Sequence, residues 1–203
     1  MSTVQVDTIN ESTTGSGVTI DGVLLQDGNV DGVDVATLNT TVSGLTSNPA
    51  YTIYDAYALS SDRSSTGDIT VWTALGTVGG AGINSIGSAV SHSSGVFTFP
   101  ETGIYKIVVK THCDLPSARN FRMNTQVTNN NSTYTTIASS SGSWNENNEG
   151  QVDVYHTALV DVTDTSNVKV KFNLSGTFGS YTRVRGNSTR TETFCSFTKV
   201  ADT

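Results

Sequence analysis

A chain of 203 residues with a formal net charge of −7 and only 14% charged residues has room for one substantial domain plus an appendage. Ser, Thr, Asn and Gly, rather than apolar residues, take the place of the missing charges, which is a turn-rich β balance. The charge excludes a nucleic-acid binder or a ligand of anionic membranes: residues 1–50 hold Asp7, Glu11, Asp21, Asp27, Asp31 and Asp34 with no Lys or Arg, and the first basic residue is Arg63.

Residues 1–34 repeat Gly and Val at short intervals: Gly17-Val18, Gly22-Val23, Gly28-Asn29-Val30 and Gly32-Val33. Gly and Asp break this stretch too often for a signal peptide or a membrane helix, so cytoplasmic synthesis without membrane insertion is expected. Short β segments between Gly turns do not bury a core within one chain. The expectation is an extended attachment segment, ordered by pairing with copies of itself or with another protein. Val18, Ile20, Val23, Leu24 and Leu25 would supply its contacts.

Residues 35–50 carry a different period. In VATLNTTVSGL, Val35, Leu38, Val42 and Leu45 are spaced by three, four and three, a two-heptad coiled-coil seam. So short a helix is marginal alone, and its Thr-rich filling weakens it further. Two readings stand: a chance pattern in a linker, or a neck that clasps several chains. Ser47-Asn48-Pro49 closes the region with a turn signal.

Residues 51–203 read as β almost throughout. Phe121, Met123, Thr125 and Val127 alternate with polar residues, as do Val168, Val170, Phe172 and Leu174, which marks strands with one buried face. Turn clusters are expected at 100–103, at 129–132 and in SSSGSWNENNEG at 139–150. This pattern predicts an all-β sandwich head. In GIYKIVVKTHC, Tyr105, Ile107 and Val109 alternate with Ile104 and Val108, so both faces are partly apolar. Such a strand needs cover on both sides, one from the core and the other from a neighbouring subunit. Cys113 and Cys195 lack the paired spacing of a zinc site and are either two small core residues or a disulfide.

Three segments of the head carry a resemblance. SSGVFTFPETGIYKIVVK (93–110), VDVYHTALVDVTDTSNVKVKF (152–172) and ETFCSFTKV (192–200) resemble, in order, motifs of the complement and tumour-necrosis-factor-like jelly rolls. The resemblance implies a jelly-roll β-sandwich that packs as a homotrimer about a threefold axis. It places Phe97, Phe99, Tyr105, Ile107 and Phe197 in the core or the subunit interface, and Cys113 and Cys195 on neighbouring strands. The calcium site of the family's best-known head is not carried over, because no Asp cluster here has a calcium-loop spacing.

The segment TGSGVTIDGVLLQDG, Thr14 to Gly28, resembles stretches common in structural proteins of marine tailed bacteriophages, especially cyanophages. There it precedes fibre or appendage modules. The implied protein sits on the virion surface and docks another virion protein, of capsid or tail, through its N-terminal segment. With 203 residues there is little room for a long shaft, which favours a capsid fibre or decoration over a tail-fibre or spike receptor-binding tip.

No catalytic, metal or cofactor constellation emerges, so a non-enzymatic protein is expected. The Gly82–Gly87 stretch has the wrong spacing for a nucleophile elbow, and His92, His112 and His156 share no metal spacing. Glu146 and Glu149 beside Trp144 keep a polysaccharide depolymerase as a third reading. Two loops are candidate contacts to host-surface glycans. One holds Arg183, Arg185 and Arg190, read as a local basic patch or as solubilising charge. The other holds Trp144, an exposed sugar platform or a ring buried under its own loop.

Overall fold

The computed structural model describes residues 18–20, 23–26, 29–30, 33–34, 37–39, 42, 51–77, 85–116, 119–144, 150–179 and 181–203. The chain divides into two compact units, Met1–Ala50 and Tyr51–Thr203. None of the described helices is long and apolar enough to cross a membrane.

In the first unit, β1 (Val18–Ile20), β2 (Val23–Gln26), β3 (Asn29–Val30) and β4 (Val33–Asp34) form an antiparallel meander in that order. Ile20 pairs with Val23, Gln26 with Asn29 and Val30 with Val33. Each pair brackets one Asp-Gly dipeptide, the sequence that a two-residue hairpin loop favours. The strands expected to pair between chains therefore pair within one, because Asp-Gly makes the local return cheaper than an encounter with a second copy. Val18, Ile20, Val23, Leu24 and Leu25 all lie on β1 and β2.

Asp34 then caps a helical turn: its carboxylate accepts from the Thr37 backbone N–H at 3.0 Å and from the Thr37 hydroxyl at 2.7 Å. Leu38 and Val42 are helical, four residues apart, and 51% and 48% exposed. Val35 and Leu45, the outer members of the expected seam, lie outside the described residues.

The second unit is a two-sheet sandwich. Its strands are β5 (Tyr54–Leu59), β6 (Gly67–Asp68), β7 (Trp72–Ala74), β8 (Ser85–Ile86), β9 (Ser91–Ser93), β10 (Val96–Thr98), β11 (Gly103–Leu115), β12 (Arg119–Thr128), β13 (Thr135–Trp144), β14 (Gly150–Val162), β15 (Lys169–Thr177), β16 (Arg183–Val184) and β17 (Phe194–Ala201). The first sheet runs β13-β12-β15-β10-β9, with β6 also on β15. The second runs β14-β11-β17-β5-β7, with β8 on β5 and β16 on β11. All the recorded pairings are antiparallel. The chain passes from β11 in the second sheet to β12 and β13 in the first, then back to β14, which is the weave of a jelly roll.

Alternation along the strands fills the space between the sheets. Phe121, Met123 and Thr125 from β12, and Val170, Phe172 and Leu174 from β15, face Tyr105, Ile107 and Val109 from β11, all of them buried. At the centre Phe97 lies 4.8 Å from Phe197 and 5.5 Å from Phe172, ring centre to ring centre, while Phe99 lies 4.5 Å from Tyr105. Phe97, Phe99, Tyr105, Ile107 and Phe197 are at most 2% exposed within one chain, so core, not interface, is their place.

One expectation changes, and the cysteine reading is met. The serine run 139–143 is strand, not turn: β13 pairs with β12 from Arg119↔Trp144 to Val127↔Thr135, and this ladder overrides the weak preference of Ser for turns. Residues 145–149 lie outside the described residues. Cys113 and Cys195 do sit on adjacent strands, β11 and β17, but Cys195 pairs with Val109, four positions from Cys113. Both thiols are free and buried, and desolvation pushes both up, Cys113 to about 12.

Candidate functional site

The arginine segment is tied down by carboxylates. Arg183 belongs to β16, which pairs with Cys113 and Asp114 of β11, and its Nη1 lies 3.6 Å from Asp62 Oδ2. Arg185 Nη1 is 3.0 Å from Asp62 and 3.5 Å from Asp114, and its Nε is 3.8 Å from Glu192. Arg190 donates through Nε and Nη2 to Glu192 Oε1 at 2.9 and 2.6 Å. Three guanidinium groups therefore face three carboxylates, and the expected basic patch carries no net charge. The same contacts fasten β16 to the segment around Asp62, whose Oδ1 also accepts from the Gly186 backbone N–H at 3.0 Å. Exposed pairs of this kind contribute about 0–1 kcal/mol each.

Trp144 ends β13 on the inward side of the alternation and packs against the core. A Cβ added at Gly150 would fall 2.3 Å from the indole carbons Cδ2 and Cε2, so the glycine backbone lies directly against the ring. The half-buried indole is thus partly covered rather than an open platform. Glu146 and Glu149 lie outside the described residues.

Hydroxyl, imidazole and carboxylate groups come together in two places. His156 lies between the sheets, with Nδ1 2.8 Å from Ser140 Oγ and Nε2 2.7 Å from Thr125 Oγ1. Desolvation lowers its pKa and keeps the ring neutral. Each of its nitrogens is held by a hydroxyl, with no acid to orient the ring as in a nucleophile–His–carboxylate chain. His112 Nδ1 meets Asp153 Oδ1 at 2.7 Å on the outer face of the second sheet, beside Lys110 rather than a nucleophile. His92 stacks edge-on to Tyr57 at 5.2 Å. Among the described residues, no three of His, Cys, Asp and Glu converge as metal ligands.

The second sheet shows another kind of surface. Ile104 and Val108 of β11 are only partly buried on its outer face, and the neighbouring β14 presents Tyr155 and Leu159 at 60% and 65% exposure. The pairing sets Leu159 beside Lys106 and Tyr155 beside Lys110. At the opposite edge Tyr51, Tyr54, Leu75 and Ile86 line an apolar cleft of about 390 Å³. The two-faced apolar pattern of 104–109 foreshadowed the first of these surfaces. The cleft had no sequence signal, because its residues are scattered over 36 positions.

No family model matches the chain, and no curated protein sequence matches it. The fold does have solved counterparts. Murine APRIL, in its crystal structure at pH 5.0, is 9% identical with a TM-score of 0.52, over 72% of this chain and 98% of that one. The Eiger TNF structure from S. frugiperda is 15% identical with a TM-score of 0.49, over 74% and 94%. The fold is a jelly-roll sandwich of the tumour-necrosis-factor type.

Proposed function

We propose that the protein is a non-enzymatic bacteriophage virion component, a homotrimer built in chain order from an attachment segment, a short helical neck and a jelly-roll head. The trimer rests chiefly on the outer face of the second sheet. The head's core is complete without Ile104, Val108, Tyr155 and Leu159, yet these residues form an apolar streak on a strand already covered from its other side. The streak lies at the β14 edge and the Tyr51–Ile86 cleft at the edge that β7 and β8 form beside β5, so contact between copies would join two different surfaces, and a threefold rotation would close them as a ring. Leu38 and Val42, exposed on one side of their helical turn, would zip together in such a ring as parts of the Val35–Leu45 seam.

The virion assignment is supported by the resemblance of residues 14–28 to segments of marine phage structural proteins. A capsid fibre or decoration is the first reading and a tail-fibre or spike tip is the second. Depolymerase activity ranks third; the carboxylates that would carry it, Glu146 and Glu149, lie outside the described residues. Three weak glycan contacts on each of many virion copies would act through avidity. Light scattering of the purified protein is expected to give three times the chain mass; a monomer at micromolar concentration removes the trimer. Immunogold labelling of virions then separates capsid from tail, and particles without label remove the virion reading.

A further inference from the structure

The outer face of the first sheet carries a trough of about 430 Å³, lined by Asn120, Arg122, Ser141, Ser143 and Ser175 with Gly176 at its edge. Its shape follows from register. Arg122 on the central strand β12 is opposite Ser141 of β13 on one side and Ser175 of β15 on the other, while Asn120 is opposite Ser143. A long side chain between two short ones, on strands about 4.8 Å apart, leaves open space on both flanks.

Arg183, Arg185 and Arg190 each face a carboxylate, whereas the guanidinium of Arg122, like that of Arg119, has no ion-pair or hydrogen-bond partner among the described residues; of these two, Arg122 is the exposed one that lines the trough. Residues 51–203 hold twelve Asp and Glu against eleven Lys and Arg, so acids are at hand in the head although none among the described residues faces Arg122.

The polarity of the neighbouring hydrogen bonds is a second, separate observation. Asn124, only 7% exposed, donates from Nδ2 to Ser175 Oγ at 3.1 Å. The serine oxygen is thereby engaged as an acceptor, and its proton is left to donate outward. Asn120 Oδ1 accepts from the Thr177 backbone N–H at 3.3 Å, and its Nδ2 points to Thr177 Oγ1 at 3.5 Å. Ser141 and Ser143 have no partner among the described residues. The trough thus offers a fixed cation and a rigidly supported hydroxyl donor beside free hydroxyls, on long strands rather than on loops. Phe121 and Gly142 also border the trough, but Phe121 is fully buried, so it offers no exposed ring to grip an apolar residue of a peptide.

We propose that this trough binds an acidic saccharide, with the guanidinium of Arg122 taking the sugar carboxylate and Ser141, Ser143 and Ser175 hydrogen-bonding its ring hydroxyls. The site deepens the glycan contact of the reading above but does not depend on virion location or on the trimer. Affinity per site is expected on the order of 1 mM, weakened by salt because the pair is exposed. The test titrates the full-length protein with trigalacturonate by calorimetry or NMR, against maltotriose as the neutral sugar and triglutamate as the acidic peptide. Arg122→Ala should weaken trigalacturonate binding at least tenfold with an unchanged melting temperature. Arg122→Lys should fall between, and Lys106→Ala, on the outer face of the other sheet, should bind as the parent does. Equal binding of maltotriose or triglutamate, parental binding by Arg122→Ala, or no binding by the parent protein up to about 10 mM overturns the proposal.

Discussion

Along β12 the outward residues are Asn120, Arg122, Asn124 and Gln126; along β11 they are Ile104, Lys106, Val108 and Lys110. Neighbouring strands extend the contrast, with Ser139, Ser141 and Ser143 on β13 against Tyr155 and Leu159 on β14. Both sheets bury aromatic and aliphatic side chains on their inner faces, so the inner faces explain the fold and do not distinguish the sheets. Their outer faces differ in composition, polar on the first and partly apolar on the second, and the saccharide and subunit contacts proposed above would account for that difference.

Breaking what the sheets share should have the largest effect. Phe97 touches Phe172 of the first sheet and Phe197 of the second, with no exposed surface. Phe97→Ala is expected to cost about 3–5 kcal/mol of stability in denaturant melts, through lost burial and the cavity left behind. A loss under about 1 kcal/mol would mean that the inner faces are not held together at this ring.

Outer faces come next. Leu159→Asp places a carboxylate on the apolar streak, and if that streak is covered by a second chain the assembly should lose roughly 3 kcal/mol per subunit and dissociate at micromolar concentration. The head should still fold, since Leu159 is 65% exposed within one chain. Sedimentation velocity with circular dichroism separates the two outcomes. A variant that keeps its parental mass would make the contrast between the sheets one of composition only.

How much of this was legible depended on range. Period-two runs at 121–127 and 168–174 disclosed their buried face because alternation is local, and Asp-Gly marked the returns between β1 and β4 for the same reason. The serine run was misread as turn because Ser discriminates poorly between strand and loop, and its pairing with β12 decides the matter. The charge balance of the arginine segment was only partly legible: Glu192 lies two positions from Arg190, but Asp62 lies 123 positions from Arg185. Arg122 passed unnoticed because an outward polar residue in an alternating strand is the ordinary case. Its place in the trough, between the serines of two neighbouring strands, singles it out, and that is a property of the fold.

The inner face of the second sheet holds a buried carboxylate, and the smallest predicted effect tests it. Asp55 of β5, in the second sheet, is 2% exposed; its carboxylate accepts from the Val90 backbone N–H, while the Tyr57 hydroxyl donates to the Val90 carbonyl. Burial raises its pKa from 3.8 to about 6, against the opposing pull of the Val90 N–H. The folded state therefore holds this proton more tightly than the unfolded chain. The resulting stabilisation is complete below about pH 4 and is lost as pH rises through about 6, leaving a charged carboxylate in the core at pH 8. Asn at this position keeps an oxygen for the Val90 N–H and cannot ionise. Relative to the parent, Asp55→Asn should gain stability from pH 4 to pH 8, by at most roughly 3 kcal/mol at 1.36 kcal/mol per pH unit. Urea melts of both proteins at several pH values isolate this residue, because every other titrating group cancels in the difference. A difference that does not vary with pH would show that Asp55 ionises as freely as it does in the unfolded chain, and the two inner faces would then be alike in charge as well as in packing.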